Sequence, residues 1–137
     1  MNMKTYLLFL ILFLTISCKT KKFNDYKQSY FIENYKGVFF KNCLKKGFSN
    51  SKEIKILLEK DKSYNSDFLL GINNYKKIDS ISKAIYTQIQ KDSIKSIDKA
   101  EGSSGSKIFE YCLCAFSSKK IDSLAKEAYE KHISIKY

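Results

Sequence analysis

The chain has 137 residues and a formal net charge of +11, with 44% hydrophobic and 28% charged residues. This length fits one domain and excludes a second catalytic domain, and the composition is that of a folded protein and not of a disordered tail. The chain has no proline and only five glycines. A turn-rich β-sandwich or barrel is therefore disfavoured, and we expect an all-α protein.

All 25 cationic side chains are lysines, and arginine is absent. Basic charge on this scale is typical of proteins that bind nucleic acid or anionic membranes, but recognition of bases and phosphates favours the bidentate arginine fork. The abundance of Lys, Ile, Asn, Tyr and Phe also matches the composition that an AT-rich genome produces. We therefore predict no nucleic-acid partner.

Residues 1–17 have the pattern of a secretory signal peptide. Lys4 precedes an apolar run that is too short to span a bilayer comfortably. The sequence TISC at 15–18 resembles the lipobox of bacterial lipoproteins, in which the acylated cysteine becomes the first mature residue. We predict lipidation at Cys18, a basic tether over 18–29 and a helical domain over 30–137. The alternative is an ordinary cleaved signal with a free Cys18 thiol.

The first predicted helix covers roughly residues 26–46, and Gly47 is predicted to end it. Gly37 within this helix indicates a close helix crossing. A short second helix is predicted from a capping box that begins at Asn50 to a point near Asp61. The predicted buried residues are Phe31, Tyr35, Val38, Phe39 and Cys43 in the first helix and Ile54, Leu57 and Leu58 in the second.

Three further helices follow, which makes a compact bundle of about five. The third is the longest and carries a predicted break near Gly71, and Ser106 and Ser118 are predicted to cap the fourth and the fifth. The predicted apolar faces are Phe68, Ile72, Tyr75, Ile78, Ile81, Ile85 and Ile89 in the third, Ile108, Phe109, Cys112 and Phe116 in the fourth, and Ile121, Leu124, Ala125, Ala128 and Tyr129 in the fifth.

Export would place the cysteines where disulfides persist. Cys43 and Cys112 lie on the apolar faces of their helices, so we predict a disulfide between them and a free Cys114. Residues two apart on a helix point about 200° away from each other, so Cys112 and Cys114 cannot hold one ion. His132 is the single histidine and is predicted to be a solvated surface residue. We therefore predict no metal site and no cofactor.

Three segments resemble the type VI secretion amidase immunity proteins: NCLKKGF at 42–48, EKDKS at 59–63 and FEYCLCAFSSKKIDSLAKE at 109–127. That family pairs an early cysteine-leucine with a late one, which is followed by an aromatic residue, a serine and a leucine- or isoleucine-aspartate pair. It also has a central aspartate-x-serine turn. The matching residues are Cys43, Leu44, Asp61, Ser63, Cys112, Leu113, Phe116, Ser118, Ile121 and Asp122.

The resemblance covers roughly residues 30–130 and implies an all-helical periplasmic protein, often dimeric, without catalytic residues. Such a protein binds a peptidoglycan amidase effector and blocks its cysteine-histidine active site. By analogy, effector contacts are expected at the exposed start of the long helix and in the loop formed by Glu101, Gly102, Ser103, Ser104, Gly105 and Ser106. The lipid anchor and Cys114 depart from the family, and Lys19 in place of aspartate after Cys18 favours the outer membrane.

Two other classes of function stay open at this point. A structural or cell-wall-binding envelope lipoprotein would bind peptidoglycan or lipid without an effector partner. A thiol enzyme that uses Cys114 and His132 would have a reactive thiol at neutral pH.

Overall fold

The computed structural model of the chain describes residues 3–64, 67–95 and 106–134, with side chains described for 25–64, 70–93 and 106–134. No strand occurs among these residues. The predicted all-α fold with five helices is confirmed. The helices are α1 (Met3–Gly47), α2 (Lys52–Lys60), α3 (Asp67–Lys95), α4 (Ile108–Phe116) and α5 (Lys119–Ser134).

The chain divides into two units, Met1–Tyr30 and Phe31–Tyr137. In the first unit the exposed rings of Tyr26 and Tyr30 stack with their centroids 6.4 Å apart. Helix α1 begins at Met3 and not near residue 26, so its backbone is helical through the segments predicted as signal peptide and tether. Within the residues that the structure describes, no helix combines the length and the hydropathy needed to cross a membrane.

One face of α1 forms the centre of the core in the second unit. Phe31, Tyr35, Phe39 and Cys43 recur every four residues, and each side chain is at most 1% exposed. Residues at this spacing lie one above the other on a helix, and complete burial of a phenylalanine contributes about 1.5–3 kcal/mol. The other helices complete the core with Leu70, Ile78, Ile89, Ile108, Cys112, Ile121, Ala125 and Ala128.

The end of α1 is set by the two residues that reverse the chain. Ser49 (φ 53°) and Asn50 (φ 57°) have left-handed backbone conformations, and the amide of Asn50 donates to the carbonyl oxygen of Lys45 at 2.8 Å. This bond satisfies a carbonyl that the helix leaves unpaired. Gly47 has a different role, since a Cβ there would lie 2.4 Å from Cγ2 of Ile108. The glycine therefore permits the close approach of α4.

Gly37 also makes room for a neighbour, but the neighbour is a side chain and not a helix. A Cβ at Gly37 would lie 2.1 Å from Cγ of Tyr64. Tyr64 belongs to the turn after α2 and has a φ of 57°. The expected helix crossing at Gly37 is thus replaced by the packing of one tyrosine ring on the bare helix surface.

The predictions for α2 are right for its end and wrong for its start and its packing. Ser51, and not Asn50, is the N-cap residue, and its Oγ accepts from the amide of Ile54 at 3.4 Å. The helix ends at a C-cap formed by Asp61, as predicted. None of its residues is buried, and Leu57 is 64% exposed. The amphipathic pattern of α2 therefore does not face the core.

The predicted break in α3 is confirmed at Gly71, whose φ of 67° and ψ of 159° interrupt the helical backbone. The interruption changes which side chains face inward. Leu70 is buried just before the break, whereas Ile72 is 71% exposed just after it. The prediction that Ile72 shares one apolar face with Ile78 is therefore wrong.

Of the two predicted caps on the last helices, one is right. The amide of Ile121 donates to Oγ of Ser118 at 3.3 Å, which caps α5 as predicted. The N-cap of α4 is Lys107, which makes no side-chain capping bond, so the prediction for Ser106 is wrong. Phe109 is also 59% exposed and does not share the buried face of α4.

Candidate functional site

An open groove of about 790 Å³ lies in the second unit, lined by α1, α2 and the part of α3 that follows Gly71. We call this surface the lysine groove. Its apolar lining consists of Val38, Leu58, Ile72 and Tyr75, and its charged and polar lining consists of Lys41, Asn42, Lys45, Lys55, Glu59, Lys76 and Asp79. Four of these side chains are lysines and two are carboxylates, so the lining is net basic.

Lys41 fixes the end of α2 that borders the groove. Its ammonium lies 3.3 Å from a carboxylate oxygen of Asp61 and donates to the carbonyl oxygens of Asp61 (2.9 Å) and Ser63. The hydroxyl and amide of Ser63 donate to the Asp61 carboxylate, and these bonds, followed by Lys41, lower the pKa of Asp61 to about 2. The aspartate-x-serine turn predicted from the family resemblance therefore holds α2 in place through polar contacts.

Asp79 fixes the opposite wall of the groove. The ammonium of Lys46 lies 2.7 Å from Oδ1 of Asp79, and Nδ2 of Asn42 donates to the same oxygen at 3.4 Å. The hydrogen bond from Lys46 is the largest cause of a lowered pKa of Asp79. Asp79 thereby links α3 to α1, and its charge is already matched by a lysine.

The remaining lysines of the groove have no such partners. Lys45, Lys55 and Lys76 are exposed, and none forms an ion pair or side-chain hydrogen bond with another residue in the described part of the chain. Beside them Ile72 leaves most of its side chain in solvent. The groove thus combines unpaired positive charge with exposed apolar surface.

The predicted disulfide joins Cys43 of α1 to Cys112 of α4, with a Cα–Cα distance of 5.8 Å. Leu44, the neighbour of Cys43, is buried, whereas Leu113, the neighbour of Cys112, is 56% exposed. Cys114 is free and exposed, as predicted.

The late motif residues hold α4 and α5 against α1. Phe116 packs edge-on against Phe40 with a centroid distance of 5.7 Å, and Nζ of Lys36 lies 5.0 Å from the Phe116 centroid. Asp122 forms ion pairs with Lys126 (2.7 Å) and Lys36 (3.9 Å), and its pKa is lowered mainly by the hydrogen bond from Lys126. These residues, with the buried Ile121 and the capping Ser118, stabilise the frame.

The loop expected to contact an effector is described only at Ser106, which is exposed. The other five residues of the prediction, namely Glu101, Gly102, Ser103, Ser104 and Gly105, lie outside the described residues, as does the side chain of Cys18. The exposed start of the long helix does lie at the lysine groove, through Ile72.

Cys114 and His132, the residues considered for a thiol enzyme, do not form a joint site in the described part of the chain. The ring of His132, predicted to be a solvated surface residue, is partly exposed and packs on Phe31 with a centroid distance of 5.2 Å. Cys114 lies on the exposed side of α4 and has no hydrogen bond to His132 in the described part of the chain. No group of three or more His, Cys, Asp or Glu side chains that could hold a metal ion occurs among the described residues.

No protein-family model, curated protein or solved structure matches the chain. Sequence patterns did not reveal the three unpaired lysines of the groove, because lysine is spread over the whole chain. Whether a lysine has a carboxylate beside it depends on the folded structure.

Proposed function

We propose that the protein is an immunity protein that binds a type VI secreted peptidoglycan amidase and inhibits it by occluding the active site. The disulfide between Cys43 and Cys112 is the observation that carries this proposal. The resemblance to the immunity family depends on two cysteine-leucine segments, and their cysteines are bonded to each other. A structural disulfide is also typical of an exported protein, which agrees with the signal-like amino terminus.

The motif residues support the proposal because they hold the helices together. Asp61 and Ser63 hold α2, and Phe116, Ser118 and Asp122 hold the junction of α4 and α5. Helices that are already held in place lose little conformational entropy when the protein binds a partner, which favours a high affinity. Steric occlusion requires no cofactor and no catalytic residue in the inhibitor.

The proposal includes a location at the membrane. Lipidation of Cys18 would tether the protein in the periplasm, and the lysine at position 19 favours the outer membrane as the destination. Acyl chains contribute about 0.8 kcal/mol for each buried methylene group, so two or more chains give stable attachment. The inhibitor would then be concentrated where an incoming amidase meets the cell wall. A homodimer, as is frequent in the family, stays a prediction.

The decisive experiment uses the full chain, produced with its signal peptide and a carboxyl-terminal tag and extracted in mild detergent. It serves as bait in an extract from a type VI-competent strain, and the captured hydrolase is identified, purified and assayed on peptidoglycan. We expect a cysteine amidase whose activity is lost when the bait reaches a stoichiometric amount. Retention of the bait on peptidoglycan without any hydrolase would instead support the structural envelope lipoprotein.

A further inference from the structure

The lysine groove has more positive than negative side chains in its lining. Its other ionic groups are occupied, because Lys41 is bound to Asp61 and Asp79 is bound to Lys46. Glu59 is the one remaining carboxylate of the lining. The lining also contains three lysines without an ion pair, namely Lys45, Lys55 and Lys76. The single negative charge of Glu59 can balance only one of them, so the groove has an excess of two positive charges.

The groove also leaves apolar surface uncovered. Its apolar lining includes the exposed Ile72 of α3 and the partly buried Leu58 of α2, together with Val38 and Tyr75. Helix α2 buries none of its residues, and Lys41 of α1 binds the turn at its end through Asp61 and Ser63. The side chains of α2 that line the groove are therefore open to a bound segment.

We propose that the lysine groove binds an acidic surface segment of the amidase, with carboxylates on Lys45, Lys55 and Lys76 and an apolar side chain on Ile72. This inference rests on the proposed function and names the surface that performs it. The net basic lining selects a partner segment of negative charge, since opposite potentials steer association and fix orientation. A concave surface between three helices suits a protruding protein segment better than the flat face of a lipid bilayer.

The test reverses the three unpaired lysines together in Lys45→Glu/Lys55→Glu/Lys76→Glu. The matched control is Lys91→Glu/Lys119→Glu/Lys120→Glu, which changes the net charge equally at three exposed lysines outside the groove. A third variant, Ile72→Asp, alters the exposed apolar contact without removing a lysine. Thermal unfolding of each detergent-extracted full chain shows whether the fold is kept, and the probe is the purified amidase captured above.

We expect the groove variant to bind the amidase at least about tenfold more weakly than wild type, with most of the loss in the association rate. Ile72→Asp should weaken binding by a similar factor, and the control should stay within about twofold of wild type. Binding of the wild type should also weaken between about 50 mM and about 500 mM salt. If the groove variant misfolds, Ile72→Asp decides the outcome.

The outcomes separate the two proposals. If the wild type inhibits the amidase and the groove variants inhibit it equally well, the groove assignment is wrong and the proposed function stands. If the wild type neither binds nor inhibits any amidase, both fail. The soluble headgroup of phosphatidylglycerol, glycerophosphoglycerol, provides the remaining arm, because acyl chains on Cys18 would hold every variant on vesicles. A groove variant that loses headgroup binding, but keeps amidase binding, identifies lipid as the occupant and overturns the inference.

Discussion

Cys43 and Cys112 lie 69 residues apart in the sequence, yet their disulfide holds the end of α1 against the middle of α4. Both side chains are buried. In the chain-entropy model, closing a loop of this length stabilises a protein by about 4 kcal/mol. Cys43→Ala should therefore lower the free energy of unfolding by a few kcal/mol. Urea denaturation measures the change, and thiol titration in the denaturant should find the Cys112 thiol in addition to that of Cys114.

Cys114→Ala is the matched control, because it removes the same atoms from an exposed, unbonded position. Its unfolding midpoint should equal that of the wild type. Equal midpoints for Cys43→Ala and the wild type, without a new thiol, would exclude a stabilising bridge.

Cys18 has a predicted chemistry of its own, distinct from that of the other cysteines. Cys18→Ala should abolish incorporation of labelled palmitate and removal of residues 1–17, because acylation of this cysteine precedes cleavage in bacterial lipoproteins. Gel analysis of the labelled protein measures both effects, and Cys114→Ala serves as the control. Labelled palmitate retained by Cys18→Ala would show that this residue is not the anchor.

Gly37 and Tyr64 should be energetically coupled. A Cβ at position 37 would overlap the Tyr64 ring, so Gly37→Ala must displace the ring. In a Tyr64→Ala background the same substitution meets no ring and should stabilise the protein by about 1 kcal/mol through helix propensity. In the wild-type background this gain should be cancelled or reversed. A double-mutant cycle measured by urea denaturation tests the difference, and equal effects in the two backgrounds would contradict it.

Apolar periodicity and local signals were sufficient to predict the helical frame. The four-residue recurrence from Phe31 to Cys43 gives one buried face whatever the partner is, and Ser118 caps α5 through a bond to its own helix. The disulfide also follows from the two apolar faces together with the expectation of export, since buried cysteines that meet in an oxidising compartment form a bond. The helix inferences need only residues that are close in sequence. The disulfide inference is possible because the chain has few cysteines.

The lysine groove depends on contacts that no local pattern contains. Lys41 holds α2 through residues about twenty positions away, and Gly71 shifts the helical register so that Ile72 turns outward. The sequence of α2 has an amphipathic pattern, which suggests packing on the core. It does not reveal that the helix is held by polar contacts from Lys41. The unpaired lysines can be identified only from the folded structure, which shows that the nearby carboxylates of Asp61 and Asp79 are bound to Lys41 and Lys46.

Gly71 should tolerate alanine poorly for reasons of backbone conformation alone. Its φ of 67° with a ψ of 159° lies in a region that is essentially limited to glycine, and no atom of a residue beyond its two chain neighbours lies within 4 Å of a Cβ built there. Gly71→Ala should therefore cost about 1–3 kcal/mol of stability. Ser80→Ala, at an exposed position of α3, is the control and should change stability by less than about 0.5 kcal/mol. A Gly71→Ala protein as stable as this control in urea would refute the assigned backbone conformation.

Asp61 should give the turn after α2 a distinctive response to acid. Its pKa is lowered from 3.8 to about 2, first by the Ser63 hydroxyl and amide and then by Lys41. A lowered pKa in the folded state means that the ionised carboxylate stabilises the fold. This contribution is complete above the unfolded pKa near 4 and is lost as the pH falls through about 2.

NMR titration of the Asp61 carboxyl carbon should therefore give a midpoint near 2 in the wild type. Ser63→Ala should raise this midpoint towards the ordinary value, and Lys41→Met should raise it less because Lys41 is the smaller cause. The free energies of unfolding of wild type and Asp61→Asn should also converge as the pH falls from about 4 to about 2. A difference between the two proteins that is the same at pH 7 and at pH 2 would show that the ionised carboxylate does not hold this turn.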